Sequence, residues 1–196
     1  MMKFLSKLSE QTSNSLLNIT IVLSILGSFV EMVGIMWDAS AHVIRTPETF
    51  WSVQHIVVYS GMGMFVSSAI LGTLLYTKNL INKRFKRGII ILIAGACIPV
   101  ISGYVDWNDH IKHGYEAPAV SMSHIGIEYG PAIAATGGFL ISKEKKDQKL
   151  RKLVPISILT IILSSQVGPF NLALTFFAPM ICLDVHYLFY HGCIIQ

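Results

Sequence analysis

Aspartate and histidine recur in this chain at a spacing that suits a metal ion. Asp38 is followed four residues later by His42, and His55 comes thirteen residues after that. On a helix, residues four apart project from the same face, so one ion can reach both Asp38 and His42. His55 would supply a third ligand from the next helix. Two imidazoles and one carboxylate, with coordination positions left open, are typical of catalytic iron, copper or zinc sites.

A second set of the same residue types lies further along the chain. Asp106, His110 and His124 repeat the order of the first set, with one more residue between the two histidines. Trp37 and Trp107 lie beside the two aspartates. A repeat at the same place in two helical hairpins predicts a duplicated hairpin and a possible second metal site.

Two other interpretations of these histidines stay open at this stage. An aspartate four residues before a histidine can form a structural hydrogen-bonded pair, and a neighbouring tryptophan can be an interfacial anchor. His55 and His124 could also be axial ligands of a b-type haem. The carboxylate beside each histidine argues against haem, because haem ligation does not need it.

Several further ionisable residues flank the two triads. Glu31 and Glu128 lie within apolar segments, where an ionisable side chain is expensive and points to function. Glu31 lies two helical turns before Asp38, and Glu128 lies one turn beyond His124. We predict that they orient the ligands or relay protons, together with Asp109 and His113 near the second triad. No catalytic residue is assigned.

Composition predicts the elements that position these residues. Of the 196 residues, 53% are hydrophobic and 13% are charged, a more apolar balance than in soluble domains. A helix needs about 20 residues to span the hydrocarbon layer. We predict an all-α, polytopic transmembrane bundle of about six spans, in a range of four to six, with a break at Val167 to Phe170 between the fifth and sixth. The predicted spans are 18–37, 53–76, 88–105, 117–142, 153–166 and 171–195.

These spans group into a single transmembrane domain over residues 1–196. Its predicted parts are two hairpin repeats at about 14–76 and 88–142, and a C-terminal hairpin at about 153–196.

The three cysteines lack a CxxC spacing, which argues against a disulfide framework or a thiolate metal site.

Lysine and arginine predict the orientation in the membrane. They concentrate at Lys3 and Lys7 and in the segments 78–87 and 143–152, which six alternating spans place on one side. Short basic loops stay in the cytoplasm, so we predict a multi-pass protein of the cytoplasmic membrane with its N-terminus inside and both triads on the extracytoplasmic side. The net charge of +4 then reflects the basic loops on the cytoplasmic side. No basic cluster is interleaved with aromatic residues, which argues against a nucleic-acid partner.

The first triad and its surroundings resemble a known family. The stretches 37–42 and 46–55 are similar to the C subunit of the copper membrane monooxygenases, which oxidise ammonia or methane. In that family the aspartate and both histidines are copper ligands, so the resemblance implies copper at Asp38, His42 and His55. It also implies a helical membrane subunit that works with other membrane subunits in a hetero-oligomeric complex.

Two functions follow as hypotheses. The chain is a membrane subunit of a copper-dependent monooxygenase complex of the ammonia or methane type. Alternatively, it is a non-catalytic metal-binding or structural accessory subunit of a membrane complex. Copper is implied by the resemblance alone, so iron and zinc stay open. Both hypotheses place the chain in the lipid bilayer.

Overall fold

The computed structural model describes residues 2–43, 49–113, 122–145 and 147–177, and the side chains of 11–41, 49–109, 111–112, 123–145 and 147–169. The described residues form five α-helices and two short 3₁₀ turns and contain no strand, which confirms the predicted all-α class. The helices are α1 (Met2–Val43), α2 (Val53–Thr77), α3 (Lys86–His113), α4 (Met122–Lys145) and α5 (Val154–Phe177). The 3₁₀ turns Lys83–Phe85 and Leu150–Leu153 lead into α3 and α5.

Four of the helical stretches are long and apolar enough to cross a membrane. They are Gln11–Ala41, Val53–Thr77, Lys83–Asp109 and Leu150–Pro169. This agrees with the predicted multi-pass membrane protein. The prediction of six spans is not supported, since the described residues contain five long helices and four of them meet the criteria of a span.

The predicted break between a fifth and a sixth span is wrong. The helix α5 continues through Gly168 and Pro169 to Phe177. A Cβ atom on Gly168 would lie 2.9 Å from the Tyr129 hydroxyl, so this glycine lets α5 approach α4 closely and does not end a helix. A proline is tolerated inside membrane helices, because neighbouring groups satisfy the freed backbone. The rest of the predicted C-terminal hairpin, residues 178–196, lies outside the described part of the chain.

The helices pair as two hairpins, α1 with α2 and α3 with α4. Small residues make the closest approach in each. Gly27 of α1 packs against the backbone at Phe65 of α2, and Gly95 of α3 packs against the backbone at Ala134 of α4. Gly95 follows Gly27 by 68 residues, and Ala134 follows Phe65 by 69. The two hairpins therefore have the same packing register.

A second contact repeats with the same offsets. Gly61 of α2 packs against the backbone of Glu31 in α1, and Gly130 of α4 packs against Pro99 in α3. Both hairpins thus place a glycine from the returning helix at the same level of the outgoing one. This correspondence supports the duplicated hairpin, whose common origin stays a prediction.

Buried hydroxyl groups join the two hairpins and α5. The Ser24 Oγ of α1 donates to the carbonyl of Ala134 in α4 at 2.9 Å. The Ser157 Oγ of α5 donates to the carbonyl of Ala135 at 2.9 Å. Such hydrogen bonds suit a bundle in lipid, where small polar side chains can link helices. Residues from the end of α1, the start of α2, the end of α3 and the start of α4 line one cavity, so these four helix ends lie at the same end of the bundle.

Candidate metal site

The first predicted pair is in contact. Asp38 lies on the last turns of α1 and His55 on the first turn of α2. The Nε2 atom of His55 lies 2.9 Å from Oδ1 of Asp38, and the two side chains are 15% and 18% exposed, respectively. Ligands about 2.1 Å from one ion and at right angles to each other are about 3 Å apart, so this separation fits two ligands of one ion.

The other nitrogen of His55 fixes how the imidazole can act. Nδ1 lies 2.9 Å from the main-chain carbonyl oxygen of Thr49. A carbonyl only accepts hydrogen bonds, so Nδ1 carries the hydrogen. Nε2 then faces the Asp38 carboxyl group either with a second proton, which makes an ion pair, or with a lone pair, which needs a proton on the carboxyl group or a bound cation. Metal-binding histidines donate one ring N–H to a carbonyl or carboxylate and bind the ion with the other nitrogen, and Nδ1 of His55 makes the first of these contacts.

The second predicted pair has a related arrangement. The Nε2 atom of His124, on the first turn of α4, lies 3.5 Å from Oδ1 of Asp106 on α3. The buried Ser123 hydroxyl donates to the same carboxylate oxygen at 3.0 Å. Asp106 and His124 therefore repeat the cross-hairpin pairing of Asp38 and His55, and a serine hydroxyl orients the carboxylate.

Both pairs line one cavity between the two hairpins. Its volume is about 290 Å³. The side chains that line it include both aspartates, both paired histidines, Glu128, four aromatic rings and several aliphatic groups. The sequence predicted two separate triads, and the structure shows that their described members face a common space.

The remaining predicted ligands, His42 and His110, and the flanking residue His113 are placed only in part. His42 lies on α1, four residues after Asp38, and His110 and His113 lie on α3, but these three side chains lie outside the described part of the structure. Among the side chains that are described, no three His, Cys, Asp or Glu residues come close enough to hold one ion. The triads therefore stay predictions, and the structure shows two of the three members of each.

The flanking carboxylates differ in their surroundings. Glu128 is buried and lines the cavity, one turn beyond His124. Glu31 is fully buried but does not line the cavity, and neither of its carboxylate oxygens has a hydrogen-bond partner among the described residues. Asp109 is half-buried on α3 and also lies outside the cavity wall. Among the predicted flanking residues whose side chains are described, Glu128 is thus the one that lines the cavity.

Glu31 is expected to lower the stability of the bundle. A buried polar group without a hydrogen bond costs about 1–3 kcal/mol, so Glu31→Met should raise the free energy of unfolding by about that amount. Reversible denaturation in detergent micelles would measure the change. Glu144→Met, at an exposed position of α4, is the matched control and should change stability little. A loss of stability in Glu31→Met would show that the carboxylate has a stabilising partner.

The Ser123 hydroxyl is expected to strengthen metal binding at the second pair, Asp106 and His124. Removing a group that orients a metal ligand typically costs about 10–100-fold in affinity, so Ser123→Ala should weaken metal binding at Asp106 and His124 by that factor. Titration calorimetry with Zn²⁺ would measure the dissociation constant. Ser67→Ala is the control, because the Ser67 hydroxyl donates to Gly63 within its own helix. An unchanged dissociation constant in Ser123→Ala would contradict this role.

Sequence reasoning missed two groups at the pairs, the Thr49 carbonyl and the Ser123 hydroxyl. A backbone carbonyl leaves no signal in residue type. Ser123, by contrast, directly precedes His124, and the polar Gln54 directly precedes His55. A polar residue before each histidine was therefore visible in the sequence.

No protein-family model, curated protein or solved structure matches this chain.

Proposed function

We propose that this chain is a metal-binding subunit of a membrane complex, with a transition-metal ion held at one end of the bundle by Asp38 and His55. His42 is the expected third ligand. The observation that carries the proposal is the orientation of His55, whose Nδ1 donates to the Thr49 carbonyl while Nε2 faces the Asp38 carboxylate at 2.9 Å. This arrangement sets the imidazole tautomer before any ion arrives.

The chain's own residues have distinct roles in this proposal. Asp38 provides negative charge to offset that of the cation, and the Thr49 carbonyl fixes the plane of the His55 ring. The partly buried position of both side chains keeps most bulk water from the ligands. A bound copper ion would supply redox chemistry and open coordination positions at the edge of the cavity.

The identity of the metal and the reaction extend the proposal further. The stretches 37–42 and 46–55 resemble the C subunit of copper membrane monooxygenases, which favours copper and a role in oxidising ammonia or methane. Such a role needs other membrane subunits. Whether copper is the ion, and whether the chain takes part in oxidation, are separate questions that need separate measurements.

A second candidate function is favoured by the second pair. Asp106 and His124 line the same cavity as Asp38 and His55. Two cation-binding pairs around one space suit a non-catalytic subunit that binds or passes metal ions. This function predicts metal at both pairs, whereas a single catalytic centre needs only one.

The basic residues support an orientation for this site. The segments 78–87 and 143–152 lie where α2 leads into α3 and where α4 leads into α5, at the opposite end of the bundle from the Asp–His pairs. Basic loops favour the cytoplasmic side. We therefore place the N-terminus inside the cell and the metal site toward the extracytoplasmic side of the cytoplasmic membrane.

Metal content tests the proposal directly. Protein from native membranes is analysed by mass spectrometry for copper, iron and zinc, as wild type and as the His42→Ala and His110→Ala variants. Loss of copper in His42→Ala alone supports the copper site at the first triad. Loss of one ion in each variant supports the two-site accessory function. Wild-type protein without metal, purified with its partners, rejects both.

Activity tests the monooxygenase part separately. The purified complex is assayed for oxidation of ammonia or methane with His42 and His55 both replaced by alanine. Full activity in that variant rules out catalysis at this site, whatever the metal content shows.

A further inference from the structure

A carboxyl group lies buried in the bundle close to the cavity. Glu31 is fully buried on α1, and neither of its carboxylate oxygens has a hydrogen-bond partner among the described residues. An ionisable side chain within a membrane-spanning helix is expensive, and such residues commonly serve ion binding or proton transfer. The proposed metal site gives Glu31 no role. This side chain therefore needs an explanation of its own.

Helix packing does not explain the carboxyl group. Gly61 of α2 packs against the backbone of Glu31, and at the corresponding contact of the second hairpin Gly130 of α4 packs against Pro99 of α3. Pro99 is also fully buried. The second hairpin thus makes the same close approach at an apolar side chain, so the approach of two helices at this level does not need a carboxyl group.

The cavity between the hairpins begins at the next level of the bundle. Met62, which directly follows Gly61, lines the cavity. Ile35 lines it as well, and it lies four residues after Glu31 on the same face of α1. One turn of an α-helix rises about 5.4 Å. The backbone of Glu31 therefore lies about one helical turn below the floor of the cavity.

A proton is the cation that suits this position. An unpartnered carboxylate is costly in an apolar interior, so we expect the Glu31 carboxyl group to hold a proton. A hard metal cation would need several oxygen ligands around it, whereas the backbone of Gly61 packs directly against α1 here. The cavity, with a volume of about 290 Å³, has room for water molecules. Water there can accept a proton from Glu31 and return it.

We infer that Glu31 is a proton-binding site that exchanges its proton with water in the cavity. In the forward step the O–H bond of the protonated carboxyl group breaks, its electron pair stays on the carboxylate, and a water molecule becomes hydronium. The reverse step restores the neutral acid. The neutral acid is the resting state, because the charged form is costly in this surrounding. The inference goes beyond the proposed metal site and does not depend on it.

Infrared spectroscopy tests the protonation state. Difference spectra compare wild-type protein with Glu31→Gln, both as metal-free full chains in lipid nanodiscs. We expect the carbonyl stretching band of a protonated carboxyl group in the wild type and its complete loss in Glu31→Gln. If Glu31→Gln does not fold, Glu31→Met gives the same comparison. Glu144→Gln, at an exposed position of α4, is the matched control and should remove a carboxylate band instead. Loss of a carboxylate band in Glu31→Gln would overturn the inference.

Transfer of the same samples into D₂O tests exchange with the cavity. Deuteration shifts the carboxyl band to lower frequency, and the amide bands report when the buried helices open. We expect the Glu31 band to shift before the buried amide groups exchange. In Ile35→Ala, which removes side-chain atoms between Glu31 and the cavity, the shift should be faster. Ile25→Ala, at a buried position of α1 outside the cavity wall, should leave its rate unchanged. A Glu31 band that shifts only together with the buried amide groups would reject exchange with the cavity.

Discussion

Replacing His55 by alanine is expected to remove metal binding at the first pair. His55 Nε2 faces the Asp38 carboxylate at ligand distance, 2.9 Å from Oδ1. Even a group that only orients a ligand contributes roughly 10–100-fold to affinity, so loss of the ligand itself should weaken binding by more than about 100-fold. Titration of metal-free protein with Zn²⁺ and with copper, in detergent micelles, measures this change.

Two control variants show whether the effect belongs to the imidazole. Thr49→Ala keeps the main-chain carbonyl that accepts from His55 Nδ1, so its affinity should match that of the wild type. His124→Ala should lower metal affinity only at the second pair, Asp106 and His124. Wild-type affinity in His55→Ala, with the protein folded, would mean that the Asp38–His55 contact is structural.

Replacing Gly61 by alanine is expected to disturb both the fold and the first pair. A Cβ atom at Gly61 would clash with the main-chain nitrogen of Glu31 and lie 2.6 Å from the carbonyl oxygen of Gly27. Backbone atoms cannot swing aside, so α1 and α2 must separate. Overpacking of this kind costs about 1–3 kcal/mol. The same separation would draw Asp38 away from His55, and we expect weaker metal binding together with the lower stability.

Gly63 provides the matched control on the same helix. A Cβ atom there would meet nothing within 4 Å. Gly63→Ala should therefore retain both the free energy of unfolding and the metal affinity. Reversible denaturation and Zn²⁺ titration of the two variants measure the difference. If Gly61→Ala matched Gly63→Ala in its free energy of unfolding and in its metal affinity, the close approach of α1 and α2 would not position the site.

The helices could largely be predicted from the sequence, because long apolar runs leave few alternatives in a membrane protein. The error at Gly168 and Pro169 shows where such reasoning fails. Glycine and proline break helices where water competes for the backbone. Gly168 instead makes room for Tyr129, and Pro169 lies inside the continuous helix α5. The residue types alone do not reveal which neighbour a glycine accommodates.

The site was predictable within each hairpin but not between the hairpins. The repeated spacing indicated that Asp38 and His55 belong together, and so do Asp106 and His124. The shared cavity depends on how one hairpin packs against the other. That packing is set by many contacts remote in sequence, such as the hydrogen bond from Ser24 to Ala134, and spacing along one hairpin carries no information about it.

The length of α1 has a consequence for how the protein sits in lipid. At 1.5 Å per residue, its 42 residues extend about 63 Å, roughly twice the thickness of a hydrocarbon core. Its apolar stretch, Gln11–Ala41, alone exceeds that thickness, so in a bilayer we expect the helix to tilt, to thicken the bilayer around it or to extend beyond the hydrocarbon. In a bilayer Asp38, near the end of this stretch, would then lie at headgroup level. An ion could reach it there from water without crossing hydrocarbon, and we expect bilayer thickness to act on the tilt of α1 and, through it, on the Asp38–His55 separation.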